Sequence, residues 1–278
     1  MTGAGPFDRL GDRRLAGPAL LFCPADRDDR YEKALAAADS VILDLEDAVA
    51  PADKPAARAR VAASTLDPGR TIVRVNPAAT ADHALDLAAL EGTAYRTVML
   101  AKAEGSADLD ALHAAEHRVL ALCETARGVV RAEEIAAHPA VIGLMWGAED
   151  LVASMAGRSS RFEDGRYRDA ARHARSRVLL AAKAFGKAAI DAVHLDIADL
   201  DGLRAEAFDA AASGFDATAC IHPSQVAVIH EGYASTPAEI EWAERVLAAA
   251  STQPGVFRFE GRMVDEPVLR QARAILGR

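Results

Sequence analysis

Acidic side chains stand directly behind apolar runs at several points of this 278-residue chain. Glu46 and Asp47 follow one run, Glu124 another, and Glu149 and Asp150 a third. Converging carboxylates repel one another unless a proton or a cation neutralises them. An all-oxygen donor set suits Mg²⁺, which takes one or two carboxylates and fills its other positions with water and substrate oxygens. Glu124 and Asp150 are the expected metal ligands, because they follow consecutive runs and adjacent strand ends bring two carboxylates within reach of one ion. The competing expectation is a set of solvated rim salt bridges with Arg74, Lys102 and Arg127.

Arg74 lies inside the run Ile72-Val73-Arg74-Val75-Asn76. A charge there is costly to bury without a partner. Its planar fork suits a substrate carboxylate held bidentately, with an ion pair to Asp44 or Glu46 as the alternative. Arg27, after Cys23-Pro24-Ala25-Asp26, is a candidate for a ligand phosphate, and Asp26 a candidate N-cap of the helix that follows. His222, before Pro223, reads equally as a proton shuttle or a backbone-positioning residue. His113, His117, His138 and His230 are expected at the surface, and Trp146 in the core or rim.

These residues need a scaffold that gathers them. Apolar runs recur at Ala19–Cys23, Val41–Leu45, Thr71–Val75, Thr97–Leu100, Val119–Cys123, Val141–Trp146, Ala188–Val193 and Ala217–Ile221. Uniformly apolar strands suit a parallel sheet covered on both faces. Between them lie segments rich in good helix formers, such as Asp28–Ala38, Lys54–Ser64, Ala81–Glu91, Ser106–Glu116 and Leu200–Ala212. This alternation predicts an α/β chain folded as a (β/α)₈ or TIM barrel, whose catalytic groups sit at the C-terminal strand ends. An open doubly wound sheet is the alternative, but no G-x-G-x-x-G follows the first run. The longest interruption, Met155 to Tyr167, reads as a polar loop. Residues 1–16 are expected to form a flexible arm, 17–232 the catalytic barrel and 233–278 a C-terminal helical extension. Its helices are expected at Pro237–Ala250 and Pro267–Leu276, joined by the turn-rich Ser251–Val264.

The formal net charge of −9 argues against nucleic acid or an anionic membrane as partner, though a local arginine can still receive a small anion. Cys23, Cys123 and Cys220 are far apart and read as buried reduced thiols of a cytoplasmic protein. The first residues carry no apolar stretch suited to a signal peptide, and no run suits a membrane span.

Taken in order, seven motifs resemble the HpcH/HpaI aldolase–citrate lyase family, in its citrate-lyase β-subunit-like branch. They are Leu21-Phe22-Cys23-Pro24-Ala25-Asp26-Arg27, Ile42-Leu43-Asp44-Leu45-Glu46-Asp47, Val73-Arg74-Val75-Asn76, Leu122-Cys123-Glu124-Thr125-Ala126-Arg127-Gly128, Trp146-Gly147-Ala148-Glu149-Asp150, Cys220-Ile221-His222-Pro223-Ser224-Gln225 and Glu260-Gly261-Arg262-Met263-Val264-Asp265. The resemblance implies a barrel of the phosphoenolpyruvate/pyruvate-domain type, with Mg²⁺ on Glu124 and Asp150. It also implies a keto-acid or carboxylate fragment on Arg74, with Glu124 near it, and CoA phosphates near Arg27. Glu46 and Asp47 would order water at the metal, and Asp265 would reach a neighbouring subunit's site in a homo-oligomer, commonly a trimer. The implied reaction is carbon–carbon cleavage of a carboxylated 3-hydroxyacyl-CoA thioester to acetyl-CoA and a keto acid such as oxaloacetate, pyruvate or glyoxylate. The alternatives are a metal-dependent aldolase on free hydroxy-keto acids, a citrate lyase β subunit within a complex, and, more distantly, a non-catalytic scaffold.

Overall fold

The computed structural model describes residues 15–253 and 255–277. Eight parallel strands close into a barrel in chain order. They are β1 (Ala19–Pro24), β2 (Ser40–Asp44), β3 (Thr71–Val75), β4 (Thr97–Leu100), β5 (Arg118–Cys123), β6 (Val141–Trp146), β7 (Ala188–Asp191) and β8 (Ala217–Cys220). β8 returns to pair with β1, through Leu20 and Ala219 among others. Nearly every strand residue is buried, as expected of strands covered by helices outside and packed side chains within. The barrel is therefore the closed α/β architecture that the apolar runs predict, and the open-sheet alternative is excluded.

Register places the chemistry. Asp44 ends β2 directly beside Arg74 of β3. Cys123, which precedes Glu124, lies beside Trp146, which precedes Gly147. Parallel strands in this alignment deliver their following residues to one rim.

Several local expectations change. The segment expected as the helix Asp28–Ala38 is a 3₁₀ turn, Asp28–Arg30, followed by a helix at Tyr31–Ala37. Ser106–Glu116 divides in the same way, into Ser106–Leu109 and Asp110–Ala114. Asp26 does not cap the first of these: the capping position falls on Arg27, without a side-chain bond, and Asp26 Oδ1 is buried without a hydrogen-bond partner. The Met155–Tyr167 loop folds back on itself through an antiparallel bridge between Arg161 and Tyr167. The expected N-terminal arm lies outside the described residues up to Arg14. From Leu15 the chain is tied down, with Leu15 buried and Ser40 Oγ donating to the Ala16 carbonyl at 2.7 Å.

The chain divides into a barrel unit, Leu15–Gly232, and a unit that includes Tyr233 onward. In the latter, helices Pro237–Ala250 and Glu266–Ile275 pack around Ala243, Val246, Leu269 and Ala272. A capping box between Thr236 and Glu239 starts the first helix. Within the stretch read from sequence as turns, Phe257–Phe259 and Arg262–Val264 form a two-stranded antiparallel hairpin.

Gly128 shows how closely the elements behind the rim approach. It lies at the middle of the short helix Ala126–Val130, and a Cβ there would overlap the Ala103 carbonyl oxygen, which is backbone and cannot swing away. Gly128→Ala is expected to lower stability by about 1–3 kcal/mol, the cost of overpacking. Thermal unfolding checks this; an unchanged midpoint would show that the helix shifts freely.

Candidate active site

A cavity of about 360 Å³ opens at the C-terminal mouth of the barrel. Glu124, Asp150, Arg74, Phe22, Arg161 and Tyr167 all contribute to its wall. (β/α)₈ enzymes place their catalytic groups at this end.

Glu124 is buried at the end of β5. Its Oε1 accepts the Lys102 backbone N–H at 3.1 Å. Lys102 follows β4 with φ of 50°, a left-handed conformation that a non-glycine residue adopts at a cost of roughly 1–2 kcal/mol. Gly147 gives the carboxylate its room: a Cβ there would stand 2.7 Å from Glu124 Oε2. Asp150 lies in the first turn of the helix Ala148–Ser154. Burial, and next the charge of Asp150, push the Glu124 carboxyl up to about 8.

Arg74 is mostly buried and its guanidinium is committed on several sides. Nε and Nη2 donate to the two oxygens of Asp44 at 2.7 and 2.6 Å, and Nη1 lies 3.0 Å from Glu46 Oε2. The geometry is thus the ion-pair alternative read from the sequence, and the guanidinium still lines the cavity. Asp44 also accepts the backbone N–H groups of Glu46 and Ala48 at 2.9 and 3.1 Å. It therefore fixes both Arg74 and the turn that carries Glu46 and Asp47. The Arg74 guanidinium lies 4.9 Å from the centre of the Phe22 ring.

Lys102 Nζ reaches Glu46, lies 3.0 Å from Asp47 and 3.3 Å from Asp150. Burial works against its charge, but Glu46 and then Asp47 outweigh it, so the ammonium is held above its ordinary range. For Glu46, burial prevails over Arg74 and Lys102 and raises its carboxyl. For the exposed Asp47, burial is outweighed by the Lys102 hydrogen bond and the carboxyl is lowered. The rim salt bridges considered from sequence are therefore present for Arg74 and Lys102. Arg127 faces Glu104 instead, at 3.5 Å.

Other expected residues sit elsewhere. Arg27 forms a two-pronged pair with Asp29, both contacts at 2.9 Å, and is not among the cavity-lining residues. Asp265 belongs to the C-terminal unit, where its side chain caps the last helix by accepting from Val268 N. His222 is exposed and bonded to Ser224 at 2.8 Å, while Gln225 Oε1 ties the backbone N–H groups of Ile221 and His222. His117 corrects the surface assignment, being buried. His113 and His117 stand in an H-x-x-x-H spacing, yet the helix ends at Ala114 and Glu116 has φ of 59°, so the two do not share a helical face. Trp146 is fully buried, as expected, and donates to Asp191 at 2.6 Å.

The sequence ties the Gly157–Gly165 loop only to a CoA pocket and singles out neither Arg161 nor Tyr167. Arg161 stacks 3.7 Å over the Tyr167 ring and pairs with Glu206. The signal available was the arginine-rich, glycine-bounded loop, but no pattern in it reveals which cavity it covers.

The oxygen-only donors fit a hard divalent cation. Asp44, Glu46, Asp47, Glu124 and Asp150 stand against Arg74 and Lys102, an excess of negative charge when all are ionised. Among the described residues no group of three or more His, Cys, Asp and Glu side chains forms a ready metal cage. Glu124 and Asp150 would supply two ligands, leaving the remaining positions to water and substrate, a common pattern for Mg²⁺.

The chain belongs to the HpcH/HpaI aldolase/citrate lyase family, whose model matches residues 19–223. It is 59% identical over 265 residues to the citrate lyase subunit beta-like protein of Mycobacterium tuberculosis, covering 95% of this chain and 96% of the relative. It is 35% identical to a (3S)-malyl-CoA thioesterase of Cereibacter sphaeroides (94% and 93% covered) and 32% identical to the mitochondrial citramalyl-CoA lyase of Rattus norvegicus (93% and 84% covered). Among solved structures, the M. tuberculosis protein CitE in complex with magnesium, acetoacetate and coenzyme A matches with a TM-score of 0.91 at 59% identity, covering 94% of this chain and 97% of that one. The M. tuberculosis citrate lyase beta subunit complexed with oxaloacetate and magnesium matches with a TM-score of 0.77 at 61% identity, covering 80% and 99%.

The raised carboxyl of Glu124 has a measurable consequence without any divalent cation. Its value in the fold, about 8, lies above the ordinary 4.5, so the native state holds the proton longer than the unfolded chain. The stability it contributes is fully present below pH 4.5 and is lost as pH rises through about 8. Glu124→Gln, which mimics the protonated form, should therefore gain on the wild type by up to a few kcal/mol across that window. Denaturant unfolding in chelator at stepped pH checks this, and a constant difference would refute the buried, uncompensated carboxylate.

Proposed function

We propose that this chain is a Mg²⁺-dependent carbon–carbon lyase acting on a carboxylated 3-hydroxyacyl-CoA thioester of the citramalyl, malyl, citryl or hydroxymethylglutaryl kind. It would cleave the thioester to acetyl-CoA and a keto acid such as oxaloacetate, pyruvate or glyoxylate, or run the reverse. The observation that carries this reading is the Glu124–Asp150 carboxylate pair at one cavity wall, with Arg74 beside it. The relatives support it: their structures hold magnesium with coenzyme A and acetoacetate, or with oxaloacetate.

Glu124 and Asp150 would hold the metal. Bound there, Mg²⁺ supplies a Lewis acid that stabilises negative charge on a substrate oxygen, an effect worth several kcal/mol. Arg74 orients the carboxylate fragment, and its pairing with Asp44 keeps the guanidinium in place. Glu46 and Asp47, gathered by Lys102, accept hydrogen bonds from water in the site. In the cleavage direction a base removes the hydroxyl proton, the carbon–carbon bond breaks, and the acetyl-CoA enolate takes a proton at its α-carbon. Asp265 from a neighbouring subunit of a homo-oligomer, commonly a trimer, is the candidate for that last transfer, and Arg27 for the CoA phosphates.

Titration calorimetry with Mg²⁺ and oxaloacetate, on wild type and Asp150→Ala, tests the site. Metal-dependent binding that weakens at least about tenfold in the variant is expected, since a charged ligand contact is worth roughly 1.5–3 kcal/mol. Equal or absent binding in both sinks the metal site and favours a scaffold. Product analysis on the CoA thioesters then separates acetyl-CoA, expected for the lyase, from free CoA, which would assign a thioesterase. Cleavage of free hydroxy-keto acids alone would assign an aldolase.

Asp265→Asn tests the proton transfer separately. Asparagine caps a helix about as well as aspartate, so the last helix should persist. Turnover is expected to fall roughly 10²–10⁴-fold, the usual weight of general acid–base catalysis, with keto-acid binding intact. Unchanged turnover would remove Asp265 from the reaction.

A further inference from the structure

Two cationic side chains line the cavity, Arg74 and Arg161. They differ in how much of the guanidinium is in use. All three Arg74 nitrogens face Asp44 or Glu46. Arg161 uses Nη1, which donates to the Gly165 carbonyl at 2.8 Å and to Glu206 at 2.5 Å. Its Nε and Nη2 make no hydrogen bond among the described residues, and these two nitrogens form one edge of the planar fork. Such an edge matches the two oxygens of a carboxylate.

The guanidinium is also held still. Its central carbon lies 3.7 Å over the Tyr167 ring, and the loop that carries it is pinned where Ser160 Oγ donates to Glu149 at 2.6 Å and Arg168 N donates to the Ser160 carbonyl at 2.8 Å. Glu206 is not its private counter-ion, since the His194 ring shares that carboxylate at 2.8 Å. The hydrogen bond to Glu206 raises that ring's pKa, so the carboxylate serves two partners. A fixed, partly compensated cation with two unused nitrogens therefore stands in the wall that the Glu124–Asp150 cavity shares with a neighbouring one lined by Glu206 and His194.

We propose that Arg161 is a specificity-determining residue that receives a second carboxylate on the keto-acid fragment, so that the site favours dicarboxylic over monocarboxylic keto acids. This rests on the reading of the cavity as a metal-assisted keto-acid site. Arg74 serves the end of the fragment near the carboxylate pair, and Arg161 the other end.

The test is titration calorimetry in Mg²⁺ with oxaloacetate, pyruvate and CoA, on wild type, Arg161→Gln, Arg161→Lys and Glu206→Gln. Arg161→Gln should weaken oxaloacetate about tenfold or more while pyruvate stays within about twofold. Arg161→Lys should recover part of the loss, because the charge remains without the fork. Glu206→Gln, which loosens the loop but leaves the guanidinium, should keep the preference for oxaloacetate. Equal losses for both keto acids, an unchanged oxaloacetate affinity, or a loss confined to CoA would each overturn the proposal. Wild type that binds neither keto acid in a Mg²⁺-dependent way would bring down the underlying reading, and the inference with it; Mg²⁺-dependent binding of both, indifferent to Arg161, would bring down the inference alone.

Discussion

The buried carboxylate of Glu124, set beside Asp150, is the constraint around which the barrel mouth is arranged. A carboxylate in that position cannot ionise cheaply, and burial and Asp150 both push against its charge. Three features of the surrounding backbone serve it. Lys102 takes up a left-handed conformation and its N–H meets Oε1. Gly147 leaves the space that any side chain would fill. The register of β5 and β6 puts Cys123 against Trp146, so the residues that follow emerge side by side. The β5–β6 register is also part of the barrel itself, but the bare Gly147 and the strained Lys102 do nothing for folding. They make sense together as support for a charged group whose compensation is not built from protein alone.

Asp44 and Arg74 solve a neighbouring problem. An arginine in the third strand of a buried barrel needs a counter-ion in fixed geometry, because removing one member of a buried pair leaves an uncompensated charge. The β2–β3 register supplies Asp44 opposite Arg74. The same carboxylate accepts two backbone N–H groups from the turn beyond β2, so one buried acid orients the arginine and the segment bearing Glu46 and Asp47 together. A carboxylate ligand would meet an arginine already aimed and already neutralised, which favours orientation over raw attraction.

The parts of this design that were legible in the sequence are those decided by local composition. Strand positions followed from predominantly apolar runs, because barrel strands are buried on both sides and show no alternation to misread. The acids at the strand ends followed from the same argument, since the rim is fixed once the strands are. What could not be read depends on partners far along the chain. Arg74 could have faced a ligand or an acid, and only the register shows Asp44 beside it. Arg161 lies 45 positions from Glu206, and no local pattern announces that pair. The division of the first helix into a 3₁₀ turn and an α-helix, and the missing cap at Asp26, turn on backbone angles that helix-forming composition does not reveal. The hairpin at Phe257–Val264 escaped for the opposite reason: its strands are three residues each, too short to show a period.

Electrostatics ties the site to the proposed chemistry. The rim acids outnumber Arg74 and Lys102, and the whole chain is acidic. A keto-acid carboxylate approaching that mouth alone would meet like charge, at short range and in a cavity where screening is weak. Arg74 offers little relief, because Asp44 and Glu46 already answer it. On the proposed function, the favourable order is therefore cation first and anion second, with the affinity for the acid depending on the metal. The same accounting explains why a lysine can be tolerated at the centre of the cluster. Lys102 brings Glu46, Asp47 and Asp150 together without closing the face of Glu124 toward the cavity. The acids stay gathered, and enough negative charge remains uncompensated to draw in a divalent ion.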